Sequence, residues 1–372
     1  MKEKSKILIV GAGIAGLAMY IALDKKRFDV EIIEERDQFK RLGYTLIFMP
    51  LGVRALKNLG FTSTQIHKIG KYTQENRLRD KNGKLKLVTN FRPLIKKFDK
   101  YMMVTRQRLY KLLETKVPTK SVRFGCTVKS LTSRKNGKIN VRFNKSESRD
   151  YDLVIGADGI NSAVRKFIFP YAKPKQLGLS LIWAWIPRKE GIYPAQPGAI
   201  GDEKAGVGFF NSGEKGKSCM AFFIQTKDVP HNISPKEYKK LLRKRLNGLD
   251  ASVPKILKHL PEGEEMYLHD DFELSLEKWH KGKIVLIGDA AHARSVFSGA
   301  GSALALEDAL VLGHYLNKEK NGEIAIEKYY KIQKKRVEQL AMSKLSLYLQ
   351  DQRGVVKYLS DFFSSSLLYL KT

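Results

Sequence analysis

The sequence predicts an α/β fold: a discontinuous parallel-sheet domain, an inserted antiparallel β-sheet domain and a C-terminal helix. Three observations lead there. A fully apolar run, Ile7 to Val10, opens onto a glycine cluster and then a helical stretch. Two later apolar runs also end in tight turns, one at Asp158-Gly159 within YDLVIGADGINSAVRKFIF and one at Gly288-Asp289 within KIVLIGDAAHARSVFSGAG. Strands at the centre of a parallel sheet are buried on both faces, so they read as unbroken apolar runs. The intervening segments instead alternate, as in GVGFF and SCMAFFIQ, the pattern of half-buried antiparallel strands.

In chain order, Ile7–Val10 is the first strand, Leu17–Leu23 a helix and Val30–Ile33 the second strand. Ile284–Ile287 is a further strand, followed by a helix from about Ser302 that carries apolar Leu304, Ala305, Leu306, Leu310 and Leu312. EYKKLLRKRLNGL, from Glu237 to Leu249, is a basic helix with a solvated face. Beyond about residue 324 the chain reads helical, with Leu340, Leu345, Leu349, Phe362, Phe363, Leu367 and Leu368. Packing against the body is the favoured reading of that tail; a membrane-surface helix is the weaker one. The parallel-sheet domain then comprises residues 1–70, 100–172 and 270–330, the inserted sheet 71–99 and 173–269, and the C-terminal helical segment 331–372.

At 43% hydrophobic residues, the 372-residue chain can bury a sizeable core. Its 68 Lys and Arg against 38 Asp and Glu give a formal charge of +30. Such a field attracts nucleic acid, anionic lipid or acidic small molecules. The basic residues are spread along the whole chain, however, and no nucleic-acid recognition motif accompanies them, which favours a solvated surface. Cys126 and Cys219 form neither a CxxC pair nor a disulfide framework and read as core thiols. The histidines show no metal-ligand spacing, so no metal is expected. The first apolar run ends at Gly11 without a signal-peptide cleavage site, and no run of about 18 apolar residues could span a bilayer. A cytoplasmic protein is the expectation.

Gly11, Gly13 and Gly16 stand in G-x-G-x-x-G spacing between strand and helix, with Ile14 and Ala15 inside the motif. Gly11 permits the tight turn, Gly13 lets a pyrophosphate approach the backbone, and Gly16 lets helix and strand pack closely. The anion would sit on free N–H groups at the helix N-terminus. Glu34 or Glu35, at the end of the second strand, would accept hydrogen bonds from the adenosine ribose. Strand, glycines, helix, strand and acid in this order make a dinucleotide site, without separating NAD from FAD.

With Asp158-Gly159 and Gly288-Asp289-Ala290-Ala291-His292 following in order, the chain resembles the flavoprotein monooxygenases of the aromatic-hydroxylase class. That group includes para-hydroxybenzoate hydroxylase and the tetracycline-inactivating oxygenases. Leu42 to Phe61 resembles the segment passing beside the flavin ring, and Arg106 in VTRQRLYKLL resembles the arginine opening a flavin-contacting helix. The resemblance spans roughly residues 5–330 and implies a Rossmann-like FAD-binding domain whose inserted sheet roofs the flavin.

The resemblance also implies roles. Glu35, followed by Arg36, best matches the ribose-binding acid, with Glu34 the runner-up. Asp289 would accept from ribityl or ribose hydroxyls. Gly299-Ala300-Gly301 and Ser302 would aim N–H groups at the flavin's pyrimidine edge, where reduced flavin is negative. Asp158-Gly159 would serve both FAD and the nicotinamide. Arg165 reads equally as a phosphate ligand or a surface ion pair. His292 reads as structural, and no catalytic acid or base is assigned. FAD would be non-covalent. NAD(P)H would be a transient co-substrate, because no second G-x-G-x-x-G occurs.

The implied activity is hydroxylation of an aromatic or polyketide-like small molecule by oxygen through a flavin C4a-hydroperoxide. The alternatives are an FAD-dependent reductase or dehydrogenase of an unsaturated substrate, and a halogenase-like enzyme. WAWIP, from Trp183 to Pro187, is one residue short of the halogenase signature W-x-W-x-I-P, and Trp183 and Trp185 read as sheet residues near the pocket. One departure stands out: Ser295 and Val296 replace the family's prolines after Ala291-His292, which implies a freer loop and a less protected oxygen adduct.

Overall fold

Ser5–Val10 forms a central strand of a six-stranded sheet, and its Leu8 and Ile9 are fully buried. The computed structural model describes residues 3–38, 43–144, 146–188 and 197–339. The strand order is His280–Lys281, Ile284–Leu286, Leu153–Gly156, Ser5–Val10, Phe28–Ile33 and Val122–Arg123. Every neighbouring pair is parallel except the His280–Lys281 edge. The register sets Val10 level with Gly156, and Gly156 level with Leu286. The three apolar runs therefore end side by side. Their outgoing turns, at Gly11, Asp158 and Gly288, open into one crevice beyond the strand ends, where parallel sheets gather ligands.

Helices Ile14–Ala22 and Gly301–Lys318 cross closely at Gly313, where an added Cβ would sit 2.8 Å from that of Ala22. Helix Gly322–Gln339 closes the same side. Its Tyr329 donates to the Leu286 carbonyl at 3.2 Å, its Gln333 donates to Asp308 at 2.8 Å, and its Arg336 pairs with buried Glu307 at 2.8 Å. Removing one partner of such a buried pair is far more damaging than the pair is stabilising, so these contacts fix the helix's register. Leu340, Leu345, Leu349, Phe362, Phe363, Leu367 and Leu368 lie outside the described residues, and with them most of the segment 331–372.

A seven-stranded sheet takes the order Tyr267–Glu273, Lys175–Pro187, Lys217–Gln225, Ala205–Phe210, Gly198–Gly201, Glu75–Arg79 and Leu85–Asn90. It is not wholly antiparallel. Gly198–Gly201 runs parallel to Glu75–Arg79, because a hairpin from the early segment is added to an edge of the later one. Alternation along Lys175–Pro187 divides its side chains between two faces. Ile182, Ala184 and Ile186 pack under helices Tyr238–Arg245 and Ser252–Leu257. Leu181, Trp183 and Trp185 point the other way, to a cluster that includes Tyr44, Phe210, Phe223 and Val296. This second face roofs the crevice. Cys126 and Cys219 are both buried and form no disulfide, and burial pushes the Cys219 thiol to about 12. No helix among the described residues is long and apolar enough to cross a membrane.

Candidate active site

The glycine loop has the geometry its spacing demands. Gly11 has φ +102°, and a Cβ there would meet the Ala157 carbonyl oxygen at 2.6 Å. At Gly16 a Cβ would collide with the Gly11 carbonyl oxygen. Beside Gly13 the space is open: a Cβ would meet only the Ala157 carbonyl oxygen, at 4.0 Å. Ile14 begins the helix, Ala15 is buried within it, and no side chain caps it. Glu34 folds back onto this loop, accepting from the Ala12 N–H at 3.0 Å and from the Arg36 N–H at 3.2 Å. Glu35 faces solvent instead. The preference for Glu35 over Glu34 thus reverses: of the two acids, only Glu34 reaches the glycine loop. Its carboxylate still has acceptor capacity left.

A cleft of about 100 Å³ starts at this loop, bounded among others by Gly13, Glu34, Arg36, Tyr44, Arg106 and Tyr267. Arg106 opens helix Arg106–Glu114, donates to the Tyr44 hydroxyl at 3.2 Å and lies 5.6 Å over the Tyr44 ring. One turn on, Tyr110 donates to the Ala12 carbonyl, pinning that helix to the glycine loop. Asp289 follows Gly288, whose φ of +59° makes the turn. The Asp289 side chain is exposed yet crowded by protein, which raises its pKa; the charge of Arg106 opposes that rise. Asp289 Oδ1 lies 3.8 Å from where a Cβ on Gly301 would stand. Gly299, at φ +61°, turns the chain into helix Gly301–Lys318, which no side chain caps and whose first turn contains Ser302. The crevice as a whole therefore combines two uncapped helix starts, two acids and two arginines, Arg36 and Arg106. A larger groove of about 640 Å³ lies away from it, and its Glu31 is already paired with Arg123, Arg149 and Tyr151.

Comparison with known proteins decides what this crevice is for. Residues 4–343 match the FAD binding domain family. The chain belongs to that family. A flavin-dependent monooxygenase of Legionella longbeachae is 26% identical over 316 residues, covering 84% of this chain and 80% of the relative. The Stigmatella aurantiaca aurachin C monooxygenase/isomerase is 25% identical over 344 residues, covering 90% and 87%. In fold, Klebsiella pneumoniae HpxO complexed with FAD and uric acid superposes with a TM-score of 0.86 at 22% identity, over 98% of each chain. This chain is an FAD-dependent monooxygenase of the aromatic-hydroxylase type, and its residues fit the cofactor. Gly13 leaves room for a pyrophosphate, Glu34 and Asp289 offer acceptors for hydroxyls, and the uncapped start at Gly301 offers N–H donors to a negative ring edge.

In this FAD-dependent monooxygenase several residues singled out in the sequence turn away from the cleft. Asp158 caps helix Ala163–Ile168, accepting from Ser162 Oγ at 2.5 Å and from the N–H groups of Ala163 and Val164 at 2.7 and 3.1 Å. Its Cα adjoins Gly11 and Gly159 follows at φ +75°, but its carboxylate is engaged. Arg165 is neither a phosphate ligand nor a surface ion pair. It is 1% exposed and donates to the carbonyls of Ala290 and Ile160 at 3.1 and 2.5 Å, bolting two turns of the crevice together. His292 Nε2 donates to Asp308 at 2.6 Å, and its ring lies tilted against Trp279. Asp308, fully buried, also accepts from the Gly288 N–H at 2.7 Å, so this cluster fixes the turn that presents Asp289.

Trp183, expected near the pocket, joins three residues that escaped the sequence reading. With Tyr44, Tyr267 and His269 it forms an aromatic group along the roof, with centroids 4.8 Å apart for Tyr44 and Trp183 and 5.6 Å for Tyr267 and His269. His269 Nε2 accepts from the Trp183 indole at 3.0 Å, and burial lowers its pKa. Trp185 donates to the Gly43 carbonyl at 2.7 Å, tying the roof to the segment beside the glycine loop. Tyr110 had one available signal, its spacing of four from Arg106 on a helix face. Nor are Ser295 and Val296 a free loop. Asp271 accepts from Ser295 Oγ at 2.6 Å and from the Val296 N–H at 2.9 Å, so the loop freedom expected from the missing prolines is absent.

Proposed function

We propose that this chain uses NAD(P)H and molecular oxygen to hydroxylate a planar, electron-rich small molecule, aromatic or polyketide-like. The observation that carries the reading is the roof. Its inward face presents Trp183, His269 and Tyr267 beside Tyr44 and Arg106, a set suited to stacking a flat ring and holding a polar substituent. The uric acid in the HpxO complex is such a ring.

The division of labour follows from the geometry. Gly11, Gly13 and Gly16 admit the pyrophosphate, and Glu34 accepts from the ribose. Asp289 accepts from the hydroxylated chain between phosphate and ring. The start of helix Gly301–Lys318, with Ser302, would favour negative charge on the ring's pyrimidine edge, and Arg106 would add a fixed positive charge nearby. When bound, FAD supplies hydride acceptance and oxygen activation. The roof keeps water from the reacting face. No side chain is assigned as acid or base. NAD(P)H would enter transiently from the crevice, which fits a sequence with no second G-x-G-x-x-G.

A panel of aromatic and polyketide compounds, scored for stimulation of NAD(P)H oxidation by the purified yellow protein, tests the reading. A stimulating compound recovered with an added hydroxyl supports it. A compound recovered with two added hydrogens makes the chain a reductase and removes the proposal.

A further inference from the structure

We propose that Asp271 is a positioning residue that clamps the substrate-covering sheet to the Gly299–Gly301 loop and thereby holds the start of helix Gly301–Lys318 toward the flavin. The inference rests on the function proposed above and assigns a new residue to it. Asp271 lies on strand Tyr267–Glu273 at 2% exposure. One of its oxygens takes the Ser295 hydroxyl at 2.6 Å and the other takes the Val296 N–H at 2.9 Å. From there the contacts run on without a gap. Ser295 Oγ accepts from the Phe297 N–H at 3.3 Å, the Ser295 carbonyl accepts from Ser298 Oγ at 2.7 Å, and Ser298 Oγ accepts from the Ala300 N–H at 3.3 Å. Ala300 is the residue before helix Gly301–Lys318.

The roof end of the clamp is equally defined. Residues two apart on a strand point to the same face, so His269 and Asp271 share one. His269 takes the Trp183 indole N–H, which places the aromatic wall and the loop anchor on a single strand. A second tie runs beside the first: Phe297 meets Phe223 of the roof edge-on at 5.7 Å. A ring seated against Trp183 and His269 therefore presses on the strand that holds the loop. A loop with Ser at 295 and Val at 296 lacks the stiffness of proline, and a buried carboxylate with charge-assisted bonds to both residues restores it.

The test uses Asp271→Ala, Asp271→Asn and Ser295→Ala. Amide hydrogen exchange of the peptide covering residues 294–302 is followed in FAD-free and FAD-loaded protein, alongside FAD affinity, the visible flavin spectrum and hydrogen peroxide released per NAD(P)H. Asp271→Ala should speed exchange of that peptide about tenfold or more in the FAD-free protein, the factor for losing hydrogen bonds to a charged group. FAD affinity should fall by a similar factor and the flavin spectrum should shift. Asp271→Asn should come back to within about threefold of wild type, because an amide can accept from Val296 and donate to Ser295 Oγ. Ser295→Ala, which leaves the carboxylate in place, should give a smaller rise of the same kind and serves if Asp271→Ala does not fold. Unchanged exchange in Asp271→Ala, or in Ser295→Ala where that variant stands in, overturns the proposal. So does faster exchange with unaltered FAD affinity, spectrum and peroxide release, because the clamp would then be structural only. A wild type that never couples NAD(P)H to a substrate would instead defeat the proposed function, and the FAD-free exchange data would still report on the clamp.

Discussion

Asp289 and His292 sit three positions apart in one short motif and do opposite jobs. Asp289 faces the cleft with Arg106 and Gly301, while His292 is buried against Asp308 and Trp279. Asp289→Ala should therefore raise the FAD dissociation constant about tenfold or more while leaving the melting temperature of the FAD-free protein at or above wild type. His292→Ala leaves buried Asp308 short of a donor and should cost about 3 kcal/mol of stability, with a much smaller effect on FAD affinity. Titrations of both apoproteins with FAD, paired with thermal melts, check the crossing. A pH effect belongs to this scale as well. Burial lowers the His269 pKa below its ordinary 6.5, helped by the charge of Arg106 and opposed by Asp270 and Asp271. The fold thus prefers the neutral ring, and that stability is fully present above pH 6.5 and is lost as pH falls through the lowered value. An imidazolium cannot accept the Trp183 N–H, so acidification should change tryptophan emission in wild type. The change should be absent from Trp183→Phe, and its survival there would place its origin elsewhere.

Among the elements, the glycine turn and the loop after His292 show how legibility depends on locality. The roles of Gly11, Gly13 and Gly16 could be read from spacing because each constraint is local to a tight turn. Gly16→Ala should prevent normal packing of the first helix, since its Cβ would collide with the Gly11 carbonyl. Gly159→Ala meets no atom within 4 Å and should cost only about 1–2 kcal/mol for its positive φ. Chemical denaturation of the two variants would rank them, and equal losses would contradict the packing argument. The loop at Ser295 was misread for the converse reason. Its stiffness comes from Asp271, on a different sheet, and no local pattern signals a partner 24 residues away. Ser295→Pro supplies a rigid ring but removes a donor from a buried carboxylate. It should increase peroxide release per NAD(P)H in a peroxidase-coupled assay; a decrease would show that ring stiffness matters more than the clamp. Glu34 and Glu35 illustrate the same limit, because which acid turns inward depends on how the chain leaves strand Phe28–Ile33.

Over the whole molecule, the α/β class could be read because three apolar runs each end in a glycine-bearing turn, two of them with an aspartate, and the register brings those turns level. The parallel pair within the roof, the buried Asp308 cluster and the partners of Trp183 in the aromatic wall were not readable, since each joins residues from distant segments. What the assembled parts achieve is a crevice with a cofactor cradle on one side and a stacking wall on the other. The function proposed for it is oxygen transfer from gas to an aromatic ring. The most direct measurement supplies labelled oxygen gas, NAD(P)H and a stimulating aromatic compound to the FAD-loaded protein, and weighs the product. The expected result is one labelled oxygen atom in each product molecule, with NAD(P)H consumed in proportion. A product carrying no label, or a reduced flavin that leaves oxygen untouched, would contradict it.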